Sequence, residues 1–258
     1  MTEETKHNKI RYLPLLLSLL PIVLYDSLFR AFSNYYLITG IGITFLFIWY
    51  IIISRNEPAL DIKKTFAPKT VGSVLLTSLG VNFISGLIIL IILFILPDMM
   101  EEYAEHMDYG VDKITLFLYS VILGPIGEEL CFRGVSMSYL KKSNLSMVAV
   151  LIIQALLFGV FHGELIQSCY AMAAGLAFGL VAYKTGSLLL AILLHSTNNL
   201  LGIYISPFIE SFETNSFIIF IVNAVSIMAL IIGIMYIWQL KPALKNNREE
   251  TPEIIIND

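Results

Sequence analysis

The chain has 258 residues, is 57% hydrophobic and 14% charged, and carries a formal net charge of −4 and a mean hydropathy of +0.79. That balance excludes a soluble globular domain and a basic nucleic-acid-binding module, and it identifies an integral membrane protein. The two cysteines, Cys131 and Cys169, lie in apolar runs, so they suggest neither a disulfide framework nor a zinc motif and read as small core hydrophobes.

Residues 1–11 form a polar tail with Lys6, Lys9 and Arg11. The apolar run that begins at Tyr12 exits through Leu28-Phe-Arg-Ala-Phe-Ser33 without a small-x-small cleavage site, so it is expected to stay as a first span. A spanning helix needs about 20 apolar residues. Eight candidate segments follow, at 12–29, 35–54, 71–97, 114–134, 146–163, 166–183, 187–206 and 216–240. The fourth is expected to run on through 135–140 and emerge at Lys141. Gly163 and Gly186 read as turn positions. Ala171, Gly175 and Gly179 fall on one helical face, where small residues let helices approach closely. The polar tail 241–258 is expected to be disordered. The expected fold is therefore an all-α polytopic membrane protein of about eight transmembrane helices.

Lysine and arginine set the expected orientation. With the N-terminus inside, the inner side holds Lys6, Lys9, Arg11, Arg55, Lys63, Lys64, Lys69, Lys141, Lys142, Lys184, Lys241, Lys245 and Arg248, and the outer side only Arg30 and Lys113. This implies cytoplasmic N- and C-termini in a multi-pass protein of the cell membrane, and the composition resembles that of bacterial inner-membrane proteins. The outer loop 98–112 is acidic and reads as a solvated loop.

Function is sought in the few polar groups of the apolar runs, since ionisable residues inside a membrane are expensive. Glu128 and Glu129 are adjacent in the fourth segment, and Arg133 follows Glu129 at i+4 on the same face. That pairing neutralises one carboxylate. Glu128, turned about 100° away, is left as a candidate general base. His195 lies deep in the seventh segment with Asn199 on its face. Such a pair can bind metal, hold a water or donate to an oxyanion. His162 ends the fifth segment. Counted at ~1.5 Å per residue, Glu128 lies roughly 20 Å from Lys141, His195 roughly 16 Å from Lys184 and His162 roughly 27 Å from Asn144. Those depths fit one water-containing cavity inside the bilayer, with a tilted or late-starting fifth helix.

The stretch Gly-Glu128-Glu129-Leu-Cys-Phe-Arg133-Gly resembles the EExxxR motif of the CPBP (CAAX protease and bacteriocin-processing, or Abi) intramembrane proteases. Phe158-Gly-Val-Phe-His162 is similar to their FxxxH motif and His195-Ser-Thr-Asn-Asn199 to their HxxxN motif. The intervening Ala174-Gly-Leu-Ala-Phe-Gly179 and Lys184-Thr-Gly-Ser-Leu188 also match the habit of that family. The resemblance covers about 110–205. It divides the chain into the tail 1–11, three spans with their loops (12–109), a catalytic core (110–206), a last span (207–240) and a tail (241–258). It implies peptide-bond hydrolysis in an intramembrane cavity, on a peptide or membrane-protein substrate in the lipid bilayer. Related activities include CAAX processing, bacteriocin maturation or immunity, and peptide signalling. By motif position, Glu128 with His162 would activate a water, His195 and Asn199 would stabilise the oxyanion, and Glu129 and Arg133 would orient them.

The preferred chemistry requires no cofactor. In the alternative, Glu128, His162 and His195 supply three ligands of a catalytic zinc, although the HExxH pattern is missing. Two non-proteolytic readings stand beside the hydrolase. One is an immunity or scaffolding protein that binds a partner in the same cavity. The other is a transporter with carboxylate proton relays, which the lack of internal repeats disfavours.

Overall fold

The computed structural model describes residues 10–31, 35–56, 61–108, 110–206 and 216–244. Most of both tails lies outside these residues, including 245–258 of the stretch expected to be disordered. Every described element is helical, as the apolar composition and the need to satisfy backbone groups inside lipid require. In chain order they are α1 (Tyr12–Leu17), α2 (Leu20–Ala31), α3 (Tyr35–Ser54), α4 (Ile62–Thr65), α5 (Pro68–Ile95), α6 (Met99–Met107), α7 (Lys113–Lys142), α8 (Met147–Phe161), α9 (Leu165–Thr185), α10 (Leu188–Ile205) and α11 (Ser216–Gln239). Five are long and apolar enough to cross a membrane: α5, α7, α9, α10 and the 220–239 stretch of α11. Three shorter apolar stretches, Tyr12–Ser27 (α1 with the start of α2), Thr39–Ser54 and Met147–Phe161, occupy the other expected segments. The chain is thus an all-α polytopic membrane protein.

Local chemistry sets the boundaries. The carboxylate of Asp112 accepts from the N–H of Ile114 (3.0 Å) and Thr115 (3.1 Å) and caps α7. The Thr115 hydroxyl donates to the same carboxylate at 2.6 Å and, with these N–H groups, holds its pKa below the usual range. Ser146 caps α8, Glu164 caps α9 through Ile166 and Gln167, and Ser187 caps α10. The expected turn glycines sit at φ +76° (Gly163) and +66° (Gly186), backbone that a side chain would strain. Between Asp98 and Asp112 the structure differs from the expected loop. Met99, Tyr103 and Met107, four residues apart, form the half-buried side of α6, while its glutamates stay exposed. His106 Nε2 meets Gln167 Oε1 at 2.9 Å and ties α6 to α9.

Helix α7 runs on to Lys142, as the sequence suggested, and its 130–137 stretch is fully enclosed. It is not uniform. Two π-helical stretches, Leu118–Leu123 and Leu130–Ser136, flank an α-helical segment, Gly124–Glu129. Pro125 has no N–H to give to the preceding turn, and a widened turn is one way a helix absorbs that loss. At one end of the bundle, Lys142 Nζ donates to Ile53 O (3.3 Å) and Lys184 Nζ to Trp238 O (2.7 Å) and Leu240 O (3.0 Å). These cations meet the carbonyl-rich ends of α3 and α11.

Small residues bring the helices together. A Cβ on Gly80 would collide with Leu230, and one on Gly233 with Ser73 and Thr77, so α5 and α11 touch backbone to backbone. Gly159 and Gly175 bring α8 and α9 together in the same way, and Gly179 makes room for the Gln154 side chain, which matches the packing role expected of the Gly175–Gly179 face. Replacing Gly80 or Gly233 by leucine overpacks this contact, at a typical cost of about 1–3 kcal/mol. Thermal unfolding followed by size-exclusion chromatography in detergent should show a lower midpoint for both variants. Gly72→Ala, whose added Cβ meets nothing within 4 Å, should match the parent.

Candidate active site

Glu129 and Arg133 lie one turn apart on α7, and both side chains are shut off from the surface. Arg133 Nη1 donates to Glu129 Oε1 at 2.8 Å, and Nη2 donates to the carbonyl of Gly175 on α9 at 3.1 Å. The buried amide of Gln154 on α8 donates to the same carbonyl at 2.9 Å. The guanidinium also covers the Phe158 ring, 4.3 Å from its centroid. One arginine therefore joins α7, α8 and α9.

His195 comes to this pair from α10, 66 residues away in sequence. Its Nδ1 lies 2.9 Å from Glu129 Oε1. A carboxylate that already accepts from arginine can only accept, so Nδ1 carries the proton and donates. The imidazole stacks on Phe178 (centroids 4.6 Å apart, 25° between planes) and meets the edge of Phe158 at 5.6 Å. With Nδ1 fixed, Nε2 turns towards Glu128, 3.8 Å from Oε2. That separation exceeds a hydrogen bond, so the two groups face a shared space. Glu128 differs from its neighbour in access: its side chain is 20% exposed and that of Glu129 is not exposed at all.

His162 follows the last turn of α8. Its Nδ1 donates to the Phe158 carbonyl at 2.8 Å, so Nε2 is left as an acceptor. Its ring lies 4.8 Å from Phe158, the aromatic residue that also touches His195. Asn199 Nδ2 donates to the Ser120 carbonyl at 2.8 Å, inside the first π-helical stretch of α7. One of its two amide protons is thereby committed to holding α10 against α7. Glu128, Glu129, Arg133 and His195 form one continuous cluster, and His162 and Asn199 flank it.

Several contributors were not assigned from sequence. Glu129 was paired with Arg133 alone, whereas the same oxygen also holds His195. Gln154 belongs to no motif, although a single amide in the apolar run of α8 is a recognisable signal. The 3%-exposed Tyr25 of α2 sits between Gly42 and Gly127, and a Cβ on Gly127 would strike its hydroxyl. Nothing in the first span marks that tyrosine. Among the described residues no three His, Cys, Asp or Glu side chains stand together as they would around an ion. Glu128, His162 and His195 thus do not make a ready zinc ligand set in this geometry.

Residues 110–201 match the family model described as Rce1-like, type II CAAX prenyl endopeptidase Rce1-like. The matched stretch contains all six motif residues, and the match supports a member of the CPBP, or CAAX protease, family. In general terms this is a family of CAAX-type intramembrane proteases. No curated protein and no solved structure matches the chain.

Removing Arg133 strands Glu129 in a low-dielectric setting and releases α9. Breaking a buried pair in this way costs about 3–5 kcal/mol. Arg133→Leu should lower the yield of monodisperse protein and the melting midpoint together. Arg133→Lys should recover little of either, because a single ammonium cannot reproduce the two-pronged reach to Glu129 and Gly175. Melting midpoints equal to the parent in both variants would remove the structural role of the pair.

Proposed function

We propose that the chain is an intramembrane endopeptidase in which Glu128 activates a water against a peptide bond of a membrane-associated or peptide substrate. One observation carries this reading: the partly open Glu128 carboxylate lies 3.8 Å from Nε2 of a histidine that Glu129 and two aromatic rings hold in place. A fixed base beside a fixed imidazole favours a near-attack geometry over a merely bound substrate.

Glu128, assisted by Nε2 of His162, takes a proton from water as the oxygen adds to the scissile carbonyl carbon. The carbonyl oxygen becomes an oxyanion and accepts from the free amide proton of Asn199 and from His195. Because Nδ1 of His195 donates to Glu129, Nε2 can donate only when the ring is an imidazolium. The tetrahedral intermediate then collapses, and Glu128 returns its proton to the leaving amine. The substrate class favoured is the one in the family description, a CAAX-type prenylated peptide, with bacteriocin maturation or peptide signalling as related uses of the same site. The lysines gathered at one end of α7 and α9 support cytoplasmic termini in a cell membrane.

Glu128→Gln should fold as the parent does and lower cleavage of a prenylated CAAX peptide in liposomes by about 10²–10⁴-fold, the usual worth of general acid–base help. Asn199→Ala should cost about 10²–10³-fold if its amide serves the oxyanion. Comparison of cellular peptides with and without Glu128→Gln would identify products directly. A protein that only binds a partner would keep its phenotype and an unchanged peptide profile in the Gln variant.

A further inference from the structure

The contact between α5 and α10 carries more polarity than packing requires. Ser78 (0% exposed) and Ser85 (7%) on α5, and Asn198 (8%) on α10, are at least nine-tenths buried. The oxygens Ser78 Oγ, Ser85 Oγ and Asn198 Oδ1 have no hydrogen-bond partner. A buried hydroxyl or amide without a partner is destabilising, so three on one helix pair call for an occupant.

Their register is set by Asn82. Its Nδ2 lies 3.1 Å from where a Cβ on Gly202 would be, and its Oδ1 accepts from Ser206 Oγ at 3.2 Å. Helix α5 runs antiparallel to α11, because Gly80 meets Leu230 while Ser73 and Thr77 meet Gly233. The C-terminal end of α9 sits on that of α11 through Lys184. Helix α10, turning back at Gly186, therefore runs parallel to α5. One turn before the Asn82–Gly202 contact, Ser78 and Asn198 come level with each other. At 100° per residue, Ser78, Asn82 and Ser85 share an arc of about 60° on α5. His195 lies less than one turn beyond Asn198, on the same side of α10.

We propose that this seam is a water-binding track, a file of ordered waters held by Ser85, Asn82, Ser78 and Asn198 that leads from the Ser206 end of α10 to the His195–Glu128 cluster. Water supplies the donors and acceptors these side chains lack, and a bound water commonly makes about three such bonds. The purpose assigned to the track, delivery of the hydrolytic water through an apolar bundle, rests on the hydrolase reading; the track itself rests on the seam.

Silver ion in the aqueous phase probes it, since Ag⁺ reacts with thiols that water reaches. Ser78→Cys and Ser85→Cys are near-isosteric, and Thr77→Cys, fully buried against Gly233 on the α11 side of α5, serves as the dry control. The protein is placed in liposomes, exposed to Ag⁺, then denatured and alkylated, and each cysteine is read by peptide mass. The thiols at 78 and 85 should be protected from alkylation about tenfold faster or more than the one at 77, as expected for a hydrated seam beside a dry one. Reaction as slow as that of Thr77→Cys overturns the track. Fast reaction at 78 and 85 together with undiminished cleavage by Glu128→Gln would leave the track standing and end the hydrolase reading.

Discussion

A single carboxylate oxygen, Oε1 of Glu129, governs the arrangement of this protein. It accepts from Arg133 at 2.8 Å and from His195 at 2.9 Å in a place without solvent. A lone carboxylate there would be ruinous, and a lone guanidinium equally so. Together they are tolerable, and the spare hydrogen-bonding capacity of each recruits another helix. Arginine reaches α9 through the Gly175 carbonyl and α8 through the face of Phe158. Glutamate reaches α10 through the imidazole. The cost of burying charge is offset by a junction of four helices, and the orientation of His195 follows from the same bond.

The neighbouring carboxylate has the opposite environment. Glu128 is next in sequence to Glu129, yet the helix turns it to a face that remains partly open. Glycine shapes that face. Gly127 leaves room for the Tyr25 hydroxyl, and Gly124 lies against the Tyr119 carbonyl within the widened turn. The π-helical stretches on either side of Gly124–Glu129 change the angular spacing of side chains along α7. A regular helix would not present the Ser120 carbonyl to Asn199 and the glutamates to His195 in the same way.

The family match ends at residue 201, but the site does not end with the matched segment. Helices α2 and α3 pack on the enclosed 130–136 stretch of α7 and bring Tyr25 beside it. Helix α5 lines the polar side of α10, and α11 closes on α5 through glycine contacts. These outer helices carry no recognisable motif, because what they contribute is a shaped and partly polar wall, which many sequences can build.

By itself the sequence determined the all-α membrane class, the turns at Gly163 and Gly186, and the pairing of Glu129 with Arg133. Each depends on local rules, such as composition over a span, backbone freedom at a turn, or the one-turn spacing of a helix. The motif residues were legible too, because polar groups stand out in apolar runs. Only the tertiary structure decided that His195 leans on Glu129 and faces Glu128, that Asn199 spends an amide proton on Ser120, and that a buried polar seam joins α5 to α10. Those contacts link positions separated by 66 and 79 residues in the first two cases. They depend on helix register, on widened turns and on which small residues let backbones meet, and no local pattern encodes those in readable form.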